Sequence, residues 1–311
     1  MDMAGYVIRR IIFLFPTVLG VVTFVFFFIH MIPGDPVEVM LGETALAADK
    51  VKLRKDLGLD LPIHKQYIRF LGGVLKGDLG QSYFYGRPVF PIIGEKIAAT
   101  VELAVAGMVI AIFIAIPLGI LSAIRHHSLW DTGAMFLSLI GISVPNFWMG
   151  PLLIILFSIK LGWLPVCGRD DWSSLILPAV TLGTAMAAIL SRMTRSSMLD
   201  VLGEEYLRYA RAKGLPPSKI ILKHALRNAL VPIITIIGLQ FGALLSGAII
   251  TETVFAWPGI GTLLIRSVEC RDYPVVQGCV IFIAIGYVLI NLLTDLAYGA
   301  ADPRIRYTGE R

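Results

Sequence analysis

The chain has 311 residues, of which 56% are hydrophobic and only 16% are charged, and its mean hydropathy is +0.77. A composition this apolar excludes a soluble domain and indicates an integral membrane protein. The net charge of +5 would suit a nucleic-acid-binding protein, but the basic residues lie between apolar runs and form no aromatic-interleaved stripe. We therefore expect membrane lipid, and no nucleic acid, as a partner.

Six apolar stretches are long enough to cross a hydrocarbon core of roughly 30 Å, which needs about 20 residues. They lie near residues 11 to 31, 101 to 124, 132 to 159, 174 to 192, 229 to 250 and 275 to 300. The sequence thus predicts an all-α membrane protein with six transmembrane helices. The first stretch is longer than the apolar part of a signal peptide and lacks a small-x-small cleavage site, so we expect an uncleaved span.

Basic residues concentrate in alternate short segments between these spans, which predicts that both termini are cytoplasmic. The short segments on the other side carry only Lys160, Arg169, Arg266 and Arg271. We expect four divisions. The N-terminus and first span cover 1–31, and an extracytoplasmic region covers 32–100. A five-span core covers 101–300 and contains a cytoplasmic loop at 193–228, and a cytoplasmic tail covers 301–311.

Residues 32–100 form the one sizeable region outside the predicted spans. The mixed-charge stretch from Asp49 to Asp60 and the turn residue Pro62 predict a small folded structure. Two roles remain open from the sequence: it covers the ends of the helices, or it docks a soluble protein that donates a substrate.

Polar side chains in the apolar stretches mark candidates for a path across the membrane. Asn146 follows Pro145 at an interruption of the third stretch, where an amide facing lipid would be costly. Gln240 lies in the fifth stretch, where it either lines a path or bonds to a neighbouring helix. The spacing of Gly238 and Gly242 around it favours close helix packing.

Carboxylates occur near the ends of the last two stretches. Glu252 follows the fifth stretch, and the sequence leaves open whether it serves a gate or pairs with Arg266. Asp295 lies in the sixth stretch, where it must face protein or water because lipid would not solvate it.

Residues 203–228 form a polar, basic island in this apolar chain. Gly214, Pro216 and Pro217 give a strong helix stop, and Ser218 is expected to cap a second helix. On charge alone, the island either holds acidic lipid headgroups or meets a soluble partner.

Signatures of catalysis do not occur in the sequence. There is no Gly-x-x-x-x-Gly-Lys-Ser/Thr phosphate loop, no Gly-x-Ser-x-Gly elbow and no metal-ligand spacing of histidines or cysteines. We expect no catalytic residue, no metal site and no cofactor. A disulfide between Cys167 and Cys270 is a hypothesis, since both lie on the predicted outer side, whereas Cys279 lies within a span.

The island resembles the cytoplasmic loop of the permeases of binding-protein-dependent ABC importers. The family loop reads Glu-Ala-Ala-x-x-x-Gly; here Arg208 and Tyr209 replace its first two residues, while Ala210 and Gly214 match. This replacement is usual in the dipeptide, oligopeptide, glutathione and nickel permeases. Further motifs of that peptide branch occur along the whole chain in the order of the family, at 33–36, 77–80, 143–147, 162–165, 257–261, 271–274 and 302–307.

The resemblance implies the fold of a type I ABC importer permease that is itself not an enzyme. The implied partners are a second, similar permease in a heterodimer, two ATP-binding subunits that hydrolyse ATP, and an extracytoplasmic substrate-binding protein. The implied location is the inner membrane, and the implied function is ATP-driven uptake of dipeptides or short oligopeptides. Glutathione or a nickel chelate is an alternative substrate, and an ion-coupled secondary transporter is the alternative of a different class.

The resemblance also implies roles for individual residues. The coupling contact with the ATPase would be made by Tyr206, Leu207, Arg208, Ala210, Arg211, Lys213 and Gly214. The translocation path would be marked by Asn146, Gln240, Glu252 and Asp295, with Glu252 at its outer end and Asp295 at its inner end.

Overall fold

The protein folds as a succession of helices, several of them long. The computed structural model describes residues 3–42 and 44–301, so the predicted tail at 301–311 lies outside the described residues except for its first position. The first seven helices are α1 Met3–Met31, α2 Pro36–Leu41, α3 Ala47–Asp56, α4 Ile63–Leu75, α5 Val89–Ile124, α6 Leu129–Ser143 and α7 Asn146–Leu153. The next seven are α8 Ile176–Leu202, α9 Glu205–Ala212, α10 Pro217–Lys219, α11 Leu226–Gly247, α12 Ile249–Val254, α13 Ile260–Glu269 and α14 Tyr273–Ala301.

Two stretches of π-helix and one 3₁₀ turn extend these helices. Ile154–Lys160 continues α7 as π-helix, Trp172–Leu175 leads into α8 as a 3₁₀ turn, and Ile220–Ala225 joins α10 to α11 as π-helix. The chain from Pro217 to Leu245 is therefore one helical span with a widened turn near its start.

Five helices of the described chain are long and apolar enough to cross a membrane. They cover Ile12–Met31, Val89–Ile124, Trp172–Leu202, Pro217–Leu245 and Tyr273–Ala300. A sixth span results if Leu129–Ser143 and Asn146–Lys160 are taken together as one span bent by 99°. The prediction of an all-α protein with six spans is confirmed in this form. Several helices extend beyond the predicted bounds because the hydropathy pattern marks only their apolar part.

The bend in the third span occurs where the sequence predicts an interruption. Val144 is extended, with φ −84° and ψ 115°, and Pro145 is also extended, with φ −65° and ψ 140°. A residue before proline is disfavoured in the helical region, because the proline ring clashes with its backbone. The helix therefore ends before Pro145 and restarts at Asn146 in a new direction.

One compact unit comprises Met1–Ile8, Val101–Trp257 and Tyr287–Arg311, and we call it the core unit. Its helices approach closely at glycines. A methyl group on Gly242 would lie 2.8 Å from the Tyr287 ring, and one on Gly238 would overlap Thr294. The interpretation of these two glycines as packing residues between spans is confirmed.

A second compact unit comprises Arg9–Thr100 and Pro258–Gly286, and we call it the N-terminal unit. Its core joins side chains that are distant in sequence, among them Val22, Ile92, Ile93 and Val275. Predicted region 32–100 thus shares a hydrophobic core with residues from near the other end of the chain.

The buried carboxylate of Asp272 binds the loop at 82–84 of the N-terminal unit. Asp272 is fully buried and accepts hydrogen bonds from the Ser82 hydroxyl and from the backbone N–H groups of Tyr83 and Phe84, at 3.1 and 3.2 Å. These three hydrogen bonds compensate for part of the cost of burying the carboxylate.

The three cysteines are free thiols. Cys167 is exposed, Cys270 is half-buried and Cys279 is buried. The hypothesis of a Cys167–Cys270 disulfide is therefore wrong for this structure, since neither sulfur is bonded to another.

Candidate functional site

Helix α9 carries most of the side chains that the sequence predicts to contact an ATPase. Its exposed side chains are Glu205, Tyr206, Arg208, Tyr209, Arg211 and Ala212, and Lys213 is exposed directly after it. Tyr209 is 70% exposed and Tyr206 is 40% exposed. Leu207, in contrast, is fully buried, and Ala210 is half-buried. The helix thus has a basic, aromatic outer face and an aliphatic inner face.

Tyr206 and Leu207 hold α9 against the start of the following span. The Tyr206 hydroxyl accepts a hydrogen bond from the Asn228 side chain and lies 3.4 Å from the carbonyl oxygen of His224. Asn228 also donates to the His224 carbonyl at 3.0 Å. With Leu207 also buried, the first turn of α9 is packed and hydrogen-bonded against the rest of the core unit.

The C-terminal end of α9 is closed by a Schellman motif. The N–H of Gly214 donates to the carbonyl of Arg211 at 2.9 Å, and the N–H of Leu215 donates to that of Ala210 at 3.3 Å. Gly214 has φ +76°, the left-handed conformation that this motif requires and that glycine adopts without strain. A methyl group at Gly214 would meet nothing within 4 Å, so the requirement for glycine is one of backbone conformation.

The next helix begins earlier than the sequence indicates. Pro216 is the N-cap and Pro217 the first helical residue, so the prediction that Ser218 caps this helix is wrong. Proline suits the first position because its missing N–H would have no partner there. Ser218 is already inside the first turn, where it cannot act as the cap.

An ion pair connects α6 to α8, the helix that leads into α9. The Arg195 guanidinium donates to both carboxylate oxygens of Asp131, at 2.7 and 2.9 Å. The Asp131 side chain is 7% exposed and that of Arg195 is 23% exposed. A bidentate pair shielded from water is stronger and more directional than a surface pair.

The same carboxylate also binds the end of a third helix, α5. Asp131 accepts a hydrogen bond from the Ser122 hydroxyl in the last turn of α5, and one from the backbone N–H of His127 at 3.0 Å. His127 has φ +62°, so this bond closes a tight connection between α5 and α6. The sequence motifs did not predict this cluster. The available signal was the Ser-x-x-Asp spacing from Ser128 to Asp131, since that pattern marks a helix start.

Two of the candidate path residues lie on helices that contact one another. Asn146 is half-buried in the first turn of α7, directly after the bend, and Glu252 is fully buried in α12. Helices α7 and α12 pack together, and a methyl group on Gly150 of α7 would lie 3.0 Å from Val254 of α12. Arg266, the residue considered as a partner of Glu252, lies in the N-terminal unit, where its guanidinium sits 5.3 Å from the Phe84 ring centre.

The other two candidate path residues also lie on a pair of packed helices. Gln240 lies in α11, and both polar atoms of its amide are buried without a hydrogen-bond partner among the described residues. Asp295 is half-buried in α14, next to Thr294, which packs on Gly238 of α11. A buried amide with open hydrogen-bonding capacity is costly unless a ligand or water satisfies it.

Comparison with known proteins identifies the family of the chain. The family model described as "Binding-protein-dependent transport system inner membrane component" matches residues 115–307. A second model, for the N-terminal part of such membrane components, matches residues 3–104. Together the two models cover almost the whole chain.

Curated relatives resemble the chain along its full length. The glutathione transport system permease protein GsiC of Pectobacterium atrosepticum is 48% identical over 98% of this chain and 100% of its own length. The dipeptide transport system permease protein DppB of Escherichia coli K12 is 44% identical, over 98% of this chain and 99% of its own.

Solved structures support the fold. An inward-facing structure of the MetNI methionine ABC transporter matches with a TM-score of 0.57 and 18% identity, over 68% of this chain and 96% of the other. An amino acid ABC transporter matches with a TM-score of 0.53 and 13% identity, over 67% and 93%. With the family models, the full-length relatives and this common fold in agreement, the chain belongs to the inner-membrane permease components of binding-protein-dependent ABC importers, in their peptide branch.

Proposed function

We propose that this permease imports dipeptides and short oligopeptides as one half of a heterodimer with a second, similar permease. Two ATP-binding subunits in the cytoplasm and a binding protein on the other side complete the importer. The proposal is supported by the dipeptide permease that is 44% identical to this chain along its whole length. Glutathione is the second candidate substrate, favoured by the glutathione permease that is 48% identical.

In this proposal α9 is the element that receives the motion of the ATPase. The observation that carries it is an exposed basic and aromatic face on a short helix that is anchored by the buried Leu207 and by the hydrogen bond between Tyr206 and Asn228. We assign contact to Tyr206, Arg208, Tyr209, Arg211 and Lys213 because they are exposed. Leu207 and Ala210 anchor the helix, and Gly214 sets its exit geometry.

The Asp131–Arg195 ion pair would transmit that motion from α8 to the neighbouring helices. A force on α9 reaches α8 directly, and the bidentate ion pair ties α8 to α6 while Ser122 ties in α5. The helix ends therefore move together when the ATPase dimer closes, which suits alternating access by rocking of rigid helices.

The orientation in this proposal places α9 and both termini in the cytoplasm. Arg208, Arg211 and Lys213 lie on the exposed part of the α9 segment, and Arg192 lies in the second half of α8. Short cytoplasmic segments carry such an excess of lysine and arginine.

The substrate is tested with the complete importer in proteoliposomes. We expect ATP-driven, binding-protein-dependent uptake of labelled dialanine, with glutathione added as a competitor. Strong competition and uptake of labelled glutathione itself would transfer the assignment to glutathione. Uptake of neither compound by an importer that hydrolyses ATP would contradict the proposed substrate class.

The coupling role is tested by reversing one charge on α9. Arg211→Glu is expected to reduce binding-protein-stimulated ATP hydrolysis and uptake by about tenfold, since like charges across an interface cost about 1.4 kcal/mol or more. The matched control is Lys76→Glu, the same charge change at an exposed site of the N-terminal unit. Equal activity of Arg211→Glu and the control would remove α9 from the coupling contact.

A further inference from the structure

A cavity of about 690 Å³ opens within the N-terminal unit, and none of the proposed coupling or path residues lines it. Its walls come from the end of α1, from residues 56–59 at the end of α3, from α4, from the loop at 78–88 and from the start of α14. The volume lies in the range of about 300 to 1,000 Å³ that is typical of sites for small ligands.

The cavity contains a guanidinium group with unused hydrogen-bonding capacity. Arg69 lines the wall and forms no ion pair or hydrogen bond with any residue in the described part of the chain. Its Nη1 atom lies where a methyl group on Gly58 would come within 2.9 Å, so the side chain rests on a glycine backbone. Arg69 is exposed, and its fork of donors is open to an oxyanion.

Neutral donors also line the cavity. Tyr83 lines the cavity, and burial, reinforced by the nearby Asp272 carboxylate, raises the pKa of its phenol to about 12. The phenol therefore keeps its proton at neutral pH and remains a donor. The amide of Gln277 also lines the cavity; the residue is 5% exposed and makes no hydrogen bond through its side chain within the described residues.

Hydrogen bonds order one part of the cavity wall, around His30 and Gln66. His30 bonds through Nδ1 to the carbonyl oxygen of Phe26 at 2.7 Å, and its Nε2 lies 3.3 Å from the Gln66 amide oxygen. Gln66 in turn donates to the carbonyl of Leu61 at 2.8 Å. A site ordered in advance loses less entropy when it binds a ligand.

The rim of the cavity carries negative charge, opposite to that of Arg69. Asp56 and Asp78 both line it and are exposed, while Phe26 and Phe70 supply apolar surface. A ligand that fits this arrangement has a carboxylate, a positively charged group and an apolar part. A short zwitterionic peptide has all three, whereas an anionic lipid headgroup or inorganic phosphate leaves the rim carboxylates unmatched.

We propose that this cavity is a binding site for a free short peptide, in which Arg69 pairs with the C-terminal carboxylate and Tyr83 and Gln277 donate to the same group. The peptide ammonium lies toward Asp56 and Asp78. This proposal rests on the proposed transport of peptides and adds a peptide site on the permease outside the membrane-spanning helices of the core unit.

The test measures dialanine binding to the assembled permease pair and ATPases in nanodiscs, without the binding protein, by titration calorimetry. Arg69→Gln is expected to weaken binding by about tenfold or more, because a charge-assisted bidentate contact is lost. Tyr83→Phe, which keeps the ring, is expected to weaken it by about threefold to tenfold. C-amidated dialanine is expected to bind as weakly to the wild type as dialanine does to Arg69→Gln.

Controls distinguish this cavity from binding elsewhere on the protein. Arg87→Gln removes the same group from the loop at 80–88, where the Arg87 side chain pairs with Glu95 and does not line the cavity, and this variant is expected to bind dialanine like the wild type. Absence of dialanine binding, binding that survives Arg69→Gln, equal binding of the C-amidated peptide, or equally tight competition by inorganic phosphate would overturn the proposal. Uptake by the complete wild-type importer is measured in parallel. Loss of the cavity site alongside normal uptake refutes only this inference, while absence of uptake refutes the proposed function.

Discussion

At the scale of single residues, Asp131 and Arg195 form the most consequential polar contact of the core unit. Removing one member of a buried pair leaves the other charge uncompensated, so Asp131→Asn is expected to lower the free energy of unfolding by about 3 kcal/mol. Thermal unfolding of the purified protein in detergent measures the change. We also expect weaker stimulation of ATP hydrolysis, since α6 and α8 are no longer tied.

An exposed pair in the same unit provides the control for this prediction. Arg169 donates to Glu102 at 2.6 Å, but both side chains are more than a third exposed, at 38% and 40%. Glu102→Gln is expected to cost at most about 1 kcal/mol, because water screens the pair. Similar losses for the two substitutions would show that burial of Asp131 contributes nothing to the strength of its pair.

Gly214 allows backbone conformation to be tested apart from space. A methyl group there would meet nothing within 4 Å, so Gly214→Ala adds only the strain of a left-handed residue, about 1 to 2 kcal/mol. Gly214→Asn tolerates that conformation better, and Gly214→Val tolerates it less. We expect stimulated ATP hydrolysis and uptake to fall in the order Gly, Asn, Ala, Val. A decline that follows side-chain volume, with Asn worse than Ala, would contradict a requirement for backbone conformation.

Tyr83 predicts how the N-terminal unit responds to alkaline pH. Its pKa is raised from 10.0 to about 12, first by burial and then by Asp272. Because the folded state holds the proton more tightly than the unfolded state, the stabilisation is complete below pH 10 and is lost as pH rises toward 12. Unfolding midpoints between about pH 9 and about pH 11.5 measure this loss. Tyr83→Phe is expected to show a shallower decline, and an unchanged slope would contradict the assignment.

At the scale of elements, the contact between α11 and α14 depends on a side chain's absence. A methyl group on Gly242 would lie 2.8 Å from the Tyr287 ring, so Gly242→Ala is expected to destabilise the protein by about 1 to 3 kcal/mol. Gly133→Ala in α6 is the matched control, because its methyl group would meet nothing within 4 Å. That control is expected to be neutral or stabilising by up to about 1 kcal/mol. Thermal unfolding compares the two, and equal effects would exclude close packing as the reason for Gly242.

Elements were predictable where one physical requirement decides the outcome. The length of apolar sequence needed to cross a membrane identifies the spans, and the conformational restriction before Pro145 identifies the break in the third. The cap of the helix after α9 was predicted at the wrong residue, because Ser218 has the better capping side chain while Pro217 has the better backbone for the first turn.

At the scale of the whole molecule, the sequence could not reveal contacts between distant positions. Asp131 and Arg195 are 64 residues apart, and each taken alone is only a charge near the end of an apolar stretch. The inward face of Leu207 depends on where α9 docks, which its own eight residues do not determine. The cavity around Arg69 likewise draws its walls from segments between residues 26 and 277. The basic, exposed part of α9, in contrast, was predictable from local sequence.

The carboxylate of Asp272 has a consequence for the order in which the protein is made. It bonds to a loop 190 residues earlier in the chain, and its neighbour Val275 completes the core around Ile92 and Ile93. During synthesis the first hundred residues therefore leave the ribosome long before their last structural partners exist. Until residues 258–286 are synthesised, that region lacks both the Asp272 carboxylate that binds its loop and part of its hydrophobic core. The beginning of the chain is therefore among the last parts to reach its final structure.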